Sequence, residues 1–288
     1  MKLILGSAQF QNGYGITRKK HILKNKIVNK IFKIVQSKNI NFLDTAENYK
    51  INNFRNFKKN INNFKIITKY ETFPQHNIYH NLKKKINRDL KKYKVKKLYC
   101  LHFHRSSEIL KKNSNIIISA LRKIKKVDNL ISNIGVSVYE PNELRNVLKI
   151  FTPDVIQLPL NILNQEFAKK KLLDTLKKKN IKIHVRSIFL QGLLLNKKNF
   201  LNDKKFFNKK KIKKLKNYLI KKNMSMVHFC INYIKQFKFS GIIFSCEDVE
   251  QIKEILNNYK KKTIYGINYS QFRSKNINLI DPRKWKKK

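Results

Sequence analysis

Asp44 and Tyr49 in FLDTAENY, Lys69 in IITK and His102 in YCLH stand at the ends of successive short apolar runs. Together these residue types suit proton transfer coupled to attack on a carbonyl. A tyrosine hydroxyl with an ordinary pKa near 10 becomes a usable acid at neutral pH when a neighbouring cation stabilises its phenolate. Lys69 can be that cation. Asp44 can pair with the lysine and hold it in place, since an unpaired buried charge is costly. His102 can donate a hydrogen bond to the substrate oxygen and set the direction of the carbonyl. None of the four supplies electrons, so a reduction needs a cofactor. Taken singly, each has a plain structural use: Asp44 as a helix cap, Tyr49 as a packing group, Lys69 as one of 57 lysines, His102 as a core histidine. Their recurrence at successive run ends is what argues for chemistry.

The elements that must carry these residues follow from the pattern around them. Eight short runs of β-branched and aromatic residues read as strands: Leu3 to Gly6, Ile40 to Asp44, Phe64 to Lys69, Lys97 to His102, Ser132 to Ser137, Asp154 to Leu158, Ile181 to Arg186 and Gly241 to Ser245. They are apolar almost throughout, as parallel strands covered on both faces should be. Between them lie Lys/Asn-rich segments such as Asn77 to Lys92 and Asn113 to Lys126, several with apolar residues at helical spacing. Eight strand-then-helix units in 288 residues predict an α/β fold, a single-domain (β/α)8 TIM barrel, ahead of a doubly wound sheet. The barrel is expected to occupy residues 1–262, with a Lys-rich insertion at about 199–223 containing an extra helix. Residues 263–288 form a basic C-terminal extension.

Sixty-six basic and 17 acidic residues give a net charge of +49. Clustered Lys and Arg would point to nucleic acid, but the charge is spread evenly along the chain and only nine of the 66 are Arg. Lys and Asn (57 and 36) crowd a chain with four Ala, the pattern expected of A/T-rich codons, so no specific nucleic-acid partner is expected. The densest patch, Lys204 to Lys222, reads as a solvated insertion. No apolar stretch approaches the 18 or so residues of a membrane span, and MKLILGSAQF falls short of a secretory leader. Cys100, Cys230 and Cys246 form no metal-type pair and read as reduced thiols of a cytoplasmic protein without a metal site.

From Leu5 to about Leu256 the sequence resembles the aldo/keto reductase superfamily, in its bacterial-type branch. LGSAQFQNGYGI is similar to the family's opening strand and loop, and FLDTAENY to its D-T-A-x-x-Y motif. The resemblance implies NAD(P)H-dependent reduction of aldehydes or ketones, or the reverse oxidation, without metal. Asp44, Tyr49, Lys69 and His102 would be the catalytic set, with His104 in its place if the strand register lies two residues away. IGVSVYEP and VIQLPLNILNQ imply Ser137 and Gln157 as carboxamide contacts, with Val138 replacing a usual Asn and Asn161 near the rim. VRSIFLQGLLL implies Arg186 against the nicotinamide face and Ser187, Gln191 and Gly192 near the pyrophosphate.

GIIFSCEDVEQIKEIL resembles the family's phosphate-binding loop and helix, with Ser245 at a position often Gly. Glu247 and Asp248 stand where a Lys or Arg would hold a 2′-phosphate, which makes NAD(H) as well as NADP(H) a cofactor candidate. Asp248 also reads as the N-cap of the last helix. The implied partner is a small carbonyl or sugar substrate, anionic if the protein's charge steers it. Two other functions fit parts of the sequence: a non-catalytic, nucleotide-binding regulatory member of the same scaffold, and a nucleic-acid-binding protein.

Overall fold

The computed structural model describes residues 1–10, 23–49, 61–195 and 209–285. Residues 11–16 of the opening motif and 199–208 of the expected insertion lie outside them.

Eight strands close into a barrel in sequence order, every neighbouring pair parallel. They are β1 Lys2–Gly6, β2 Phe42–Asp44, β3 Lys65–Tyr70, β4 Cys100–Phe103, β5 Ile134–Ser137, β6 Val155–Pro159, β7 Lys182–Arg186 and β8 Gly241–Phe244. Each lies within about three residues of its expected position, because a strand buried on both faces leaves a nearly unbroken apolar run. Amphipathic helices follow them, among them Ile78–Tyr93, Ser114–Lys126, Pro141–Ile150 and Val249–Lys260. The helix expected in the insertion spans Lys209–Lys221. No helix of the described residues is long and apolar enough to cross a membrane.

The period of two along each strand sorts side chains into two cores. Outward residues such as Leu5, Leu43, Ile66, Leu101, Val136, Ile156 and Val185 meet the helices in one large core. Inward residues Ile4, Phe42, Ile67, Cys100, Val155 and Ile243 form a separate apolar plug, with Tyr99 against it. Two residues further along the same strands the inward positions turn polar: Asp44, Lys69, His102, Gln157 and Ser245. The interior therefore has an apolar floor toward the strand N-termini and a polar storey at their C-terminal ends.

Beyond the barrel, Tyr269, Phe272, Leu279, Ile280 and Trp285 are buried in the helix-side core. The C-terminal segment thus packs onto the barrel and shares its core.

Candidate active site

The strand register brings Lys69 beside His102 and His102 beside Gly135. The loop after β2 carries Tyr49 over the same end. Three anchors fix that loop. Ser7 donates from its amide and its hydroxyl to the Asp44 carbonyl, at 2.9 and 3.0 Å. The Glu47 amide donates to the Lys69 carbonyl at 3.1 Å. The Glu47 carboxylate accepts from the Glu71 amide and pairs with Lys85 at 2.5 Å. Glu47 was not singled out in the sequence; the signal available was an acid inside the motif of a chain with so few acids.

Lys69 is buried. Its Nζ donates to Asp44 Oδ1 at 2.5 Å and to the Thr45 carbonyl at 2.9 Å. The second Asp44 oxygen accepts from Gln157 Nε2 at 2.7 Å. Each oxygen of the carboxylate thereby has a partner, one an ammonium and the other an amide. Burial pushes the Lys69 pKa below the ordinary lysine value; Asp44 opposes this and Arg186 adds to it. The ammonium lies 5.5 Å from the centre of the Tyr49 ring.

Two histidines project toward the interior one rung apart, His102 from β4 and His104 just beyond its end. His102 is fully buried, and a Cβ on Gly135 would come within 2.4 Å of its ring. The missing side chain of Gly135 is the space the imidazole fills. Burial and the Lys69 charge hold the His102 pKa well below the ordinary histidine value. His104 lies nearer the opening, half-buried, with its ring edge-on to Tyr49 at 6.3 Å. Its pKa is lowered to about 3 by burial, Lys69, Arg186 and Arg105, so the imidazole is neutral at working pH. Thus Asp44, Lys69, Tyr49 and His104 share the mouth, and His102 sits behind them.

The residues expected at a cofactor have unequal surroundings. Ser137 and Gln157 are register neighbours, both buried. Val138 turns its side chain into the helix-side core, and its carbonyl accepts from Arg186 at 3.1 Å. Asn161 ties two loops together: its Oδ1 accepts from the Leu163 and Asn164 amides, and its Nδ2 donates to the Ser187 carbonyl. Ser187, Leu190, Gln191 and Gly192 all have positive φ, 59°, 49°, 51° and 90°. Four left-handed residues in six cost strain that loops elsewhere avoid, and such strain concentrates at functional sites.

Ser245 is turned inward, its hydroxyl donating to the Gly6 carbonyl at 2.9 Å, where a Cβ on Gly6 would collide with it. Asp248 caps the helix Val249–Lys260, accepting from the Gln251 amide at 2.8 Å. Glu247 accepts from Gln9 Nε2 at 3.2 Å.

Arg186 ends β7 at this rim, half-buried. Its guanidinium lies 4.1 Å from the centre of the Tyr139 ring, and that of Arg283, from the C-terminal segment, lies 4.0 Å from the same centre. One tyrosine ring thus takes cation–π contacts from both guanidiniums. This arrangement was not foreseen from the sequence.

Comparison with known proteins agrees with the architecture. The aldo/keto reductase family model matches residues 2–275. No curated protein sequence matches the chain significantly. An aldo-keto reductase from Bacillus halodurans, solved in holo form, superposes with a TM-score of 0.74 at 14% identity, over 94% of this chain and 90% of that one. A glycerol dehydrogenase from Gluconobacter oxydans does so with a TM-score of 0.66 at 17% identity, over 91% and 87%. These likenesses share the closed eight-strand barrel, and with the family match across 274 of 288 residues they place the chain in the aldo/keto reductase family.

Proposed function

We propose that the protein transfers hydride between a nicotinamide dinucleotide and a small aldehyde or ketone, or the corresponding alcohol or sugar, with Tyr49 as general acid and base. One observation carries the reading: a buried, carboxylate-anchored ammonium, Lys69, lies against the ring of a tyrosine at the open end of the barrel. A cation in that place stabilises phenolate, the form of Tyr49 left after it gives up its proton.

In the reducing direction the carbonyl carbon gains hydride while Tyr49 protonates the oxygen. Asp44 keeps Lys69 charged and oriented. His104, neutral and in contact with Tyr49, directs a hydrogen bond at the carbonyl oxygen. His102, first in line by sequence, acts from behind by packing against Lys69 and Gly135.

The bound cofactor supplies the hydride, and the residues present fit its groups. Gln157 gives its amide nitrogen to Asp44, so its carbonyl oxygen remains to accept from a carboxamide, beside the Ser137 hydroxyl. The left-handed residues Ser187, Gln191 and Gly192 curl the loop after β7 tightly at this rim, where the pyrophosphate would lie. Arg186 stands between these two regions. Ser245 supports the β8 end through Gly6, and Glu247 and Asp248 put two carboxylates before the last helix, which favours NAD(H) over NADP(H).

Fluorescence titration with NADH and NADPH, followed by turnover of an aldehyde panel, tests the reading. Tyr49→Phe should bind NADH within about twofold of the parent and lose roughly 10²–10⁴-fold in kcat. Equal turnover by the Phe variant would end the proposal.

A further inference from the structure

Arg186 presents a charge at the mouth that no carboxylate of the described residues pairs with. Among the described residues no Asp or Glu lies within ion-pairing distance of it. Only one of the 17 acids, Asp203, lies outside the described residues. The acids nearest its stacking partner, Tyr139, are already taken. Arg283 binds Asp281 at 2.7 Å, Glu140 at 2.8 Å and Glu143 at 3.4 Å. Glu143 also accepts from the Tyr139 amide at 2.8 Å and from Ser106 Oγ at 3.1 Å. The C-terminal segment thus supplies Arg283 with carboxylates and leaves Arg186 with no ion-pair partner among the described residues.

What Arg186 does have are groups that orient it without neutralising it. It donates to the Val138 carbonyl at 3.1 Å, reaches Ser187 Oγ at 3.5 Å and lies over the Tyr139 ring. A guanidinium carries five N–H donors in a rigid fork, more than these two acceptors use, and that fork matches an oxyanion. Val185 before it packs into the helix-side core, so the alternation along β7 turns Arg186 to the inner face of the barrel, at the end where the proton-transfer groups lie.

From this placement we infer that Arg186 binds a carboxylate or phosphate carried by the substrate, making the substrate class anionic aldehydes or ketones and their alcohols. The reacting end of such a molecule rests on the redox reading given above; the anion contact does not. A charge-assisted bond to a pre-oriented arginine discriminates strongly against a neutral analogue, because without an anion the guanidinium keeps donors unpaired in a half-buried place.

The test has three measurements on the parent protein, Arg186→Met and Arg186→Lys. Calorimetry with malonate and with inorganic phosphate, without cofactor, reads the anion site directly. Expected is roughly tenfold or greater weakening in Arg186→Met, with most of the binding kept in Arg186→Lys. Retention in the Lys variant separates lost charge from lost folding. Second, the ratio of kcat/KM for succinic semialdehyde to that for butanal should be roughly tenfold or more in the parent and fall to about one in Arg186→Met. Third, NADH affinity should fall much less than malonate affinity.

Unchanged malonate and phosphate binding in Arg186→Met overturns the inference. So does an equal loss of NADH affinity, which would assign the guanidinium to the cofactor phosphates. If the parent reduces neither aldehyde while malonate binding depends on Arg186, the redox reading fails and the anion site stands.

Discussion

Lys69 Nζ sits 2.5 Å from one oxygen of Asp44, and the other oxygen of that carboxylate is occupied by Gln157, 113 residues further along the chain. The pair is almost wholly buried. Removing one partner leaves a charge stranded in the barrel, whereas removing both leaves none. Asp44→Asn should therefore cost about 3–5 kcal/mol of stability, and Asp44→Asn with Lys69→Met should regain most of it while remaining inactive. Urea unfolding of the three proteins checks this; a double variant no more stable than the single one refutes it.

His102 and His104 should separate by phenotype. His104→Gln is expected to lose roughly 10²-fold in kcat/KM with stability almost unchanged, because the ring meets Tyr49 near the opening. His102→Ala is expected to lose about 2–4 kcal/mol of stability, since it empties the space beside Gly135. Steady-state rates with melting temperatures decide. Full activity in His104→Gln would return the substrate-facing role to His102.

Acid should unfold the protein through its buried imidazoles. His102, His104 and His184 are all held below the ordinary value of 6.5 by burial, His104 and His184 to about 3. Below pH 6.5 the unfolded chain binds protons that the folded chain does not. Stability is therefore full above that pH and falls as pH drops toward 3, by up to about 1.4 kcal/mol per pH unit for each histidine. His184, stacked on Tyr99 at 6.4 Å, is the cleanest probe. His184→Phe should lose less stability between pH 7 and pH 5 than the parent in paired urea titrations; an identical loss would refute the assignment.

Asp248 has a measurable structural duty as well as a charge. Asp248→Ala frees the Gln251 amide and should cost about 1 kcal/mol. The same change should raise NADPH affinity relative to NADH affinity by about two- to fivefold. Thermal melts and paired titrations report the two effects. A loss of stability with no change in preference would make Asp248 a cap alone.

Much of this molecule could be read from its sequence. The strands were legible because burial on both faces writes itself as an apolar run, and Asp248 as a cap because capping is local. The order of Asp44, Tyr49 and Lys69 was legible because each ends or follows a strand. Which of two histidines meets the tyrosine was not: residues 102 and 104 share a face, and a period of two carries no information about depth. Gln157 on Asp44 and Arg283 on the same ring as Arg186 were also hidden, since contacts across 113 and 97 positions leave no local pattern. Glu47 was visible as a letter, but its duty as a clamp appears only once β3 lies beside it.

The apolar plug under the polar storey has a consequence for how this protein tolerates change. Floor and storey share strands but no side chains. Ile4, Phe42, Ile67, Cys100, Val155 and Ile243 can hold the staves together while the rung above them is rewritten. The barrel behaves as a foundation with an exchangeable workshop on top. Altering the tools should alter the trade long before it brings down the building.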